Sequence, residues 1–179
     1  MNEYRLATNT FLDKYDALPG DFHKASQLID QRLQNGNGNG VVEGAGLASG
    51  SEALNFWTHL AAAGLIGSPG SSQTETIGEF GKGAPESSIG GGFTVENNPH
   101  GLKGLWFILG QKVGEHGDGG LLTPVQAQNI DKKLDNGHPN SGKVRAMDGS
   151  DAPTHACVLE GDHYNLENHE PVCTLYFQL

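Results

Sequence analysis

Residues 2–17, NEYRLATNTFLDKYDA, gather apolar side chains on one side of a helix. Tyr4, Ala7, Phe11 and Tyr15 recur at i, i+3, i+7 and i+11. Arg5, Asn9, Asp13 and Asp16 fall elsewhere on the wheel. LPGD at 18–21 then stops the helix, because proline cannot continue it and glycine turns the chain. A helix with an aromatic face cannot stand alone, so the rest of the chain must supply a surface to bury it.

The second half of the sequence offers that surface. GFTVEN near Phe93, GLWFILGQ near Trp106, GKVRAM near Val144 and CTLYFQL at 173–179 are strand-like, rich in aromatic and β-branched residues between turn signals. No βαβ repeat links them, so four strands predict an antiparallel sheet and an α+β fold. Further helices are expected at 22–33 and at 52–65. The latter is capped by Ser51 and striped by Leu54, Trp57, Ala61 and Leu65. A last helix follows Thr123, with Pro124 at its first position, Gln126 completing a capping box, and Lys132 and Lys133 toward its end. Residues 68–92, rich in Gly, Ser, Pro and Thr, read as a long surface loop, and 114–120 as a turn. A chain of 179 residues suits one domain, 1–179, divided into the first helix (1–17), a helix and loop region (18–92) and a sheet region (93–179).

With 21 acidic and 11 basic residues the net charge is −10, and no basic stripe is present, so nucleic-acid binding is not expected. The acidity suits solubility or attraction of cations. The 27 glycines suggest a loop-rich, extracellular type of domain. Cys157 and Cys173 enclose a short polar segment. Two free buried thiols are one reading. The favoured one is a disulfide anchoring the loop to the strand opened by Cys173, stabilising by about 3 kcal/mol and implying export. The first residues, MNEYRLATNTF, lack the apolar core of an export signal, and no stretch reaches transmembrane length.

Several of these stretches together resemble a known family. FLDKYDALPGDFHKA, then NGNGNG, then EALNFWTHLAAAGLIG, and later LLTPVQAQNIDKKLDNGHPNSGKVRA and the closing CTLYFQL, resemble type IV pilins and the pseudopilins of type II secretion. The resemblance covers most of the chain except the loop at 68–92. It implies a pilin-like fold, with a long N-terminal helix packed on a four-stranded antiparallel sheet, extra helices and long Gly-rich loops. Tyr4, Ala7, Phe11 and Tyr15 then belong to the soluble half of that helix, whose apolar upstream half and leader are missing from this sequence. The implied protein is a structural subunit, not an enzyme, of a Gram-negative cell-surface or periplasmic filament. Its partners are further pilin-like subunits, and the inner membrane holds it through the missing helix before assembly. Lateral contacts are expected from the loops between the first helix and the sheet and from the cysteine-bounded loop.

The run NGNGNG at 35–40 raises a separate possibility. Asn35, Asn37 and Asn39 stand at positions 1, 3 and 5 of an EF-hand-like spacing, with Gly40 at 6 and the Val41 carbonyl at 7. The twelfth position is Gly46, so Glu43 or Glu52 has to supply the negative charge for calcium. The bland alternative is a turn whose side chains cap its own backbone. The family resemblance suggests a second place for calcium among Glu115, Asp118, Asp148 and Asp151, although solvated turn carboxylates are the simpler reading. Histidine spacing gives no HxxxH or HxH zinc pair; His163 and His169 alone stand close together, and His59 is expected to pack or cap. GSPGSS lacks a nucleophile elbow, Ser49 and Ser51 precede a helix start, and SIGGGF at Ser88 lacks the lysine of a phosphate loop. The alternative to a filament subunit is a secreted calcium-dependent binding module, for example for carbohydrate.

Overall fold

The fold is described by a computed structural model for residues 1–70 and 78–179. It is α+β. A mostly antiparallel sheet runs in the order β1-β2-β7-β4, with β3 paired to β2. These strands are β1 (Gly92–Asn97), β2 (Leu105–Val113), β3 (His116–Gly119), β4 (Val144–Asp148) and β7 (Cys173–Gln178). Between the cysteines, β5 (Val158–Leu159) and β6 (His163–Tyr164) form a separate two-stranded ribbon. The helices are α1 (Asn2–Tyr15), α2 (Ala25–Leu28), α3 (Glu52–Ala62) and α4 (Pro124–Leu134).

Register divides the sheet into two faces. Val95 opposes Phe107, Phe107 opposes Phe177, and Phe177 opposes Val144, so these side chains share the inner face. With Leu109, Leu175 and Ala146 they join one core that includes Phe11, Phe56, Trp57 and Leu60. The alternate residues Trp106, Ile108 and Tyr176 make a second, small cluster on the outer face, with Leu102 and Met147 against it.

The aromatic stripe of α1 enters the inner core as its spacing demands. Tyr4 packs edge-on to Trp57 and Phe93, with centroids 5.1 and 5.3 Å away. Ala7 and Phe11 are buried. Tyr15 and Phe11 stand 4.6 Å apart, and each also meets Phe22. α1 has 14 residues and ends at Asp16, whose left-handed backbone lets its N–H close on the Leu12 carbonyl. A longer N-terminal helix is not shown. α3 differs from a one-sided stripe: every residue from Ala53 to Leu60 is buried, which makes it the central helix. Ser51 caps it by accepting from the Leu54 N–H at 3.0 Å. α4 carries the full capping box of Thr123 and Gln126.

Two expectations need correction. The helix expected at 22–33 shrinks to the single turn of α2, because the Phe22 carbonyl accepts from Gly36 and the chain wraps around the α3 side chain of His59. The turn expected at 114–120 contains β3, which pairs with β2 across a register shift between Gln111 and Val113. The loop expected at 68–92 falls partly on 71–77, outside the described residues; its later part holds a bridge between Glu86 and Gly92. Cys157 and Cys173 are disulfide-bonded, with Cα atoms 5.1 Å apart. Among the described residues, no helix is long and apolar enough to cross a membrane.

Candidate functional site: the Asn/Gly loop

The site starts from a carboxylate that spacing did not single out. Asp21, the last residue of LPGD, is 2% exposed. Its Oδ1 accepts from the N–H groups of Gly38 at 2.7 Å and Asn39 at 3.0 Å, and its Oδ2 from Gly40 at 2.8 Å. Three successive amides thus close around one anion, a nest made by the alternating glycines. Gly38 and Gly40 have φ of +73° and +84°, which a side chain would strain. At Gly36 a Cβ would lie 2.3 Å from the Gly20 carbonyl oxygen, so only glycine allows this approach.

His59 fixes the loop from below. Its Nδ1 accepts from the Gly20 N–H at 2.9 Å, and its Nε2 donates to the Gln34 carbonyl at 2.8 Å. One neutral imidazole therefore ties the turn after α1 to the start of the Asn/Gly run. Burial lowers its pKa, outweighing the opposite pull of the Gln34 carbonyl. The expectation that His59 packs or caps is met in this form.

On the solvent side, Glu52 and Glu43 organise the loop. Glu52 accepts from the Asn37 N–H through Oε1 at 2.8 Å and from the Glu43 N–H through Oε2 at 3.1 Å. Glu43 accepts from Asn37 Nδ2 at 2.8 Å and from Asn39 Nδ2 at 3.2 Å. The amide oxygens turn inward, Asn37 Oδ1 to the Asn39 N–H and Asn39 Oδ1 to the Val41 N–H. Asn35 Oδ1 instead accepts from the Ser26 N–H. Asn35, Asn37, Glu43 and Glu52 line an open cleft of about 410 Å³, together with Gln34, Gly36, Gly44, Gly50 and Ser51. The structure thus brings Asn37, Asn39, Glu43 and Glu52 together. It commits the Asn35 oxygen to the Ser26 N–H instead, while Val41, expected to offer its carbonyl, is tied to Asn39 Oδ1 through its N–H.

The second proposed group does not converge. Asp148 accepts from the N–H groups of His155, Cys157 and Val158; Asp151 accepts from Gly120; and Asp118 accepts from Ser150 Oγ at 2.7 Å and pairs with His100 Nε2 at 3.2 Å. Asp118 is nearly buried, not a solvated turn carboxylate. Glu115 serves through its carbonyl, which accepts from Leu47. Among the described residues, no three His, Cys, Asp or Glu side chains are grouped to hold a metal ion. Ser150, Asp118 and His100 stand with the carboxylate in the middle, so no imidazole is placed to take a proton from the hydroxyl. Compared with family models, with curated proteins and with solved structures, the chain matches none.

Proposed function

We propose that the chain is the head of a pilin-like or pseudopilin-like filament subunit, with no catalytic role. The observation that carries this reading is the seating of α1: Tyr4 meets Trp57 of α3 and Phe93 and Phe107 of the antiparallel sheet, Phe11 meets His59 of α3, Ala7 is buried in the same core, and Tyr15 rests on Phe11 and Phe22. Exposed apolar residues stand where lateral contacts were expected, Leu28 and Val41 in the region between α1 and the sheet, and Leu159 and Leu166 in the cysteine-bounded loop. Each outer strand, β1 and β4, bonds in part to neighbouring coil. Phe93 N–H donates to the Pro85 carbonyl, and Ala146 N–H to the Pro139 carbonyl. Assembly through faces and loops fits this better than strand addition. Other pilin-like subunits are the proposed partners, and the periplasm or cell surface the proposed location, with inner-membrane anchoring by a longer form of α1. The test is the intact mass and N-terminal sequence of the mature protein from its host. An apolar helical segment upstream of Asn2, N-methylated at its first residue, supports the reading; a mature chain cut by ordinary signal peptidase just before Asn2 ends it.

A second reading, a secreted calcium-dependent binding module, is favoured by the cleft where Glu43 and Glu52 meet Asn37 and Asn39. For calcium to sit there, both asparagines must turn their amide oxygens toward the cleft in place of their N–H groups. Millimolar calcium should then raise the melting temperature of the parent but not of Glu43→Ala. Identical melting of the two with and without calcium removes this reading.

A further inference from the structure

The outer face of the sheet is covered differently from the inner face. Trp106, Ile108 and Tyr176 are buried there, and among the described residues no α-helix is part of their cluster; Met147 of β4 and the loop at 98–104 joining β1 to β2, which holds a 3-10 turn at Pro99–Gly101, pack against it. Leu102 rests on the cluster, and the His100 ring meets the Tyr176 ring edge-on at 5.8 Å. The Trp106 indole N–H donates to the Lys103 carbonyl at 3.0 Å. Asn98 and His100 hold left-handed backbone, with φ of 53° and 47°, a conformation non-glycine residues sustain only when their surroundings enforce it. The polar contact enforcing it at His100 is Nε2 to Asp118 Oδ2 on β3. Asp118 is itself fixed by the Ser150 hydroxyl.

We propose that the loop at 98–104 is a pH-released cover over the outer sheet face, pinned by His100 on Asp118. The charged and titratable groups around the pin come from several elements. Asp118 and His116 come from β3 and Glu96 from β1, with His116 paired to Glu96 at 2.9 Å. Tyr176 comes from β7, and Arg145 lies opposite Tyr176 on β4. The hydrogen bond to Asp118 raises the His100 pKa above its ordinary 6.5 against the pull of burial, and the Asp118 and Glu96 charges add to the rise. Burial pushes Asp118 up, but the bonds from His100 and Ser150 and the nearby imidazoles leave it below its ordinary 3.8. A raised histidine gives its full stabilisation below 6.5 and loses it as pH rises through the higher folded value. A lowered aspartate loses its contribution only as pH falls below 3.8. The pin therefore holds below pH 6.5 and weakens as pH rises through the raised His100 value. Release frees a loop whose left-handed residues relax and uncovers an indole, a phenol and an isoleucine.

The experiment is hydrogen exchange of the two indole N–H groups by NMR, from about pH 5.5 to about pH 8.5, corrected for the intrinsic base-catalysed rate. Trp57, buried in the inner core, is the control for global unfolding. Trp106 protection in the parent should fall by about tenfold for each pKa unit by which the pin raises His100, while Trp57 stays protected. His100→Gln and Asp118→Asn should show the lower protection at every pH. Parent Trp106 protection that does not change with pH overturns the proposal. So does a His100→Gln protein that keeps the parent's pH dependence.

Discussion

The two faces of one sheet are closed by different physics. The inner face meets α1, α3 and α4 through aromatic and aliphatic contact, so its hold is set by area and shape. The outer face and the loops are held by single carboxylates that gather backbone amides or one imidazole: Asp21, Glu52, Asp118, Asp135 and Asp148. Apolar packing is spread over many atoms and insensitive to pH. A carboxylate concentrates its effect in a few directed bonds, so one substitution or one proton releases a whole segment. The inner core is thus held firmly by packing, and the outer face and the loops, including the one against α3, are held conditionally.

Matched truncations give the largest effects. Leu175→Ala on the inner face and Ile108→Ala on the outer should each cost between about 2 and 5 kcal/mol in denaturant unfolding. The inner change is expected at the upper end, because the outer cover can collapse into the gap. Equal losses would erase the distinction between the faces. Next, reducing the disulfide should lower stability by about 3 kcal/mol, with the amides of β5 and β6 exchanging first; protection lost evenly over the whole sheet would show that the ribbon is no separate region. Asp21→Ala should cost about 1–3 kcal/mol and unprotect the Gly38, Asn39 and Gly40 amides, while the α3 amides stay slow. If α3 loosens as well, the Asp21 nest belongs to the core and not to the loop. A smaller effect comes from His59. Its pKa is lowered by burial, so the unfolded chain binds the extra proton and stability falls as pH drops below 6.5, by at most about 1.4 kcal/mol per pH unit. Urea midpoints across that range should slope in the parent and be flatter in His59→Asn. Last, Thr123→Ala should remove about 1 kcal/mol through the α4 cap.

Local signals made much of the inner side legible. The stripe of α1, the Ser51 and Thr123 caps and the strands around Phe93, Trp106, Val144 and Cys173 rest on residues within a few positions of one another. What escaped depends on distant partners. HGDG has no strand propensity of its own, and β3 forms because β2 extends past β1 and offers it a ladder. Asp21 acts on amides 17–19 positions away, so nothing in LPGD itself announced it. The Asn/Gly spacing drew attention to its loop and to Glu43 and Glu52, which hydrogen-bond within it. The alternative of a turn whose side chains cap its own backbone matches what Asn37 and Asn39 do with their amide oxygens. His59 was read as packing or capping, but which two backbone groups it joins is fixed only by the fold.

β7 is the seventh strand in chain order yet occupies the middle of the sheet, between β2 and β4. During synthesis β2 can pair at once with β1 and β3, but β4 waits for its neighbour in the sheet until residues 173–178 have emerged. What the ribosome must finish before the sheet is whole is this stretch, because β7 alone joins β4 to the β1-β2-β3 part across long sequence separations. A nascent chain halted before Cys173 should leave the β4 stretch protease-sensitive, and one carried past Gln178 should protect it.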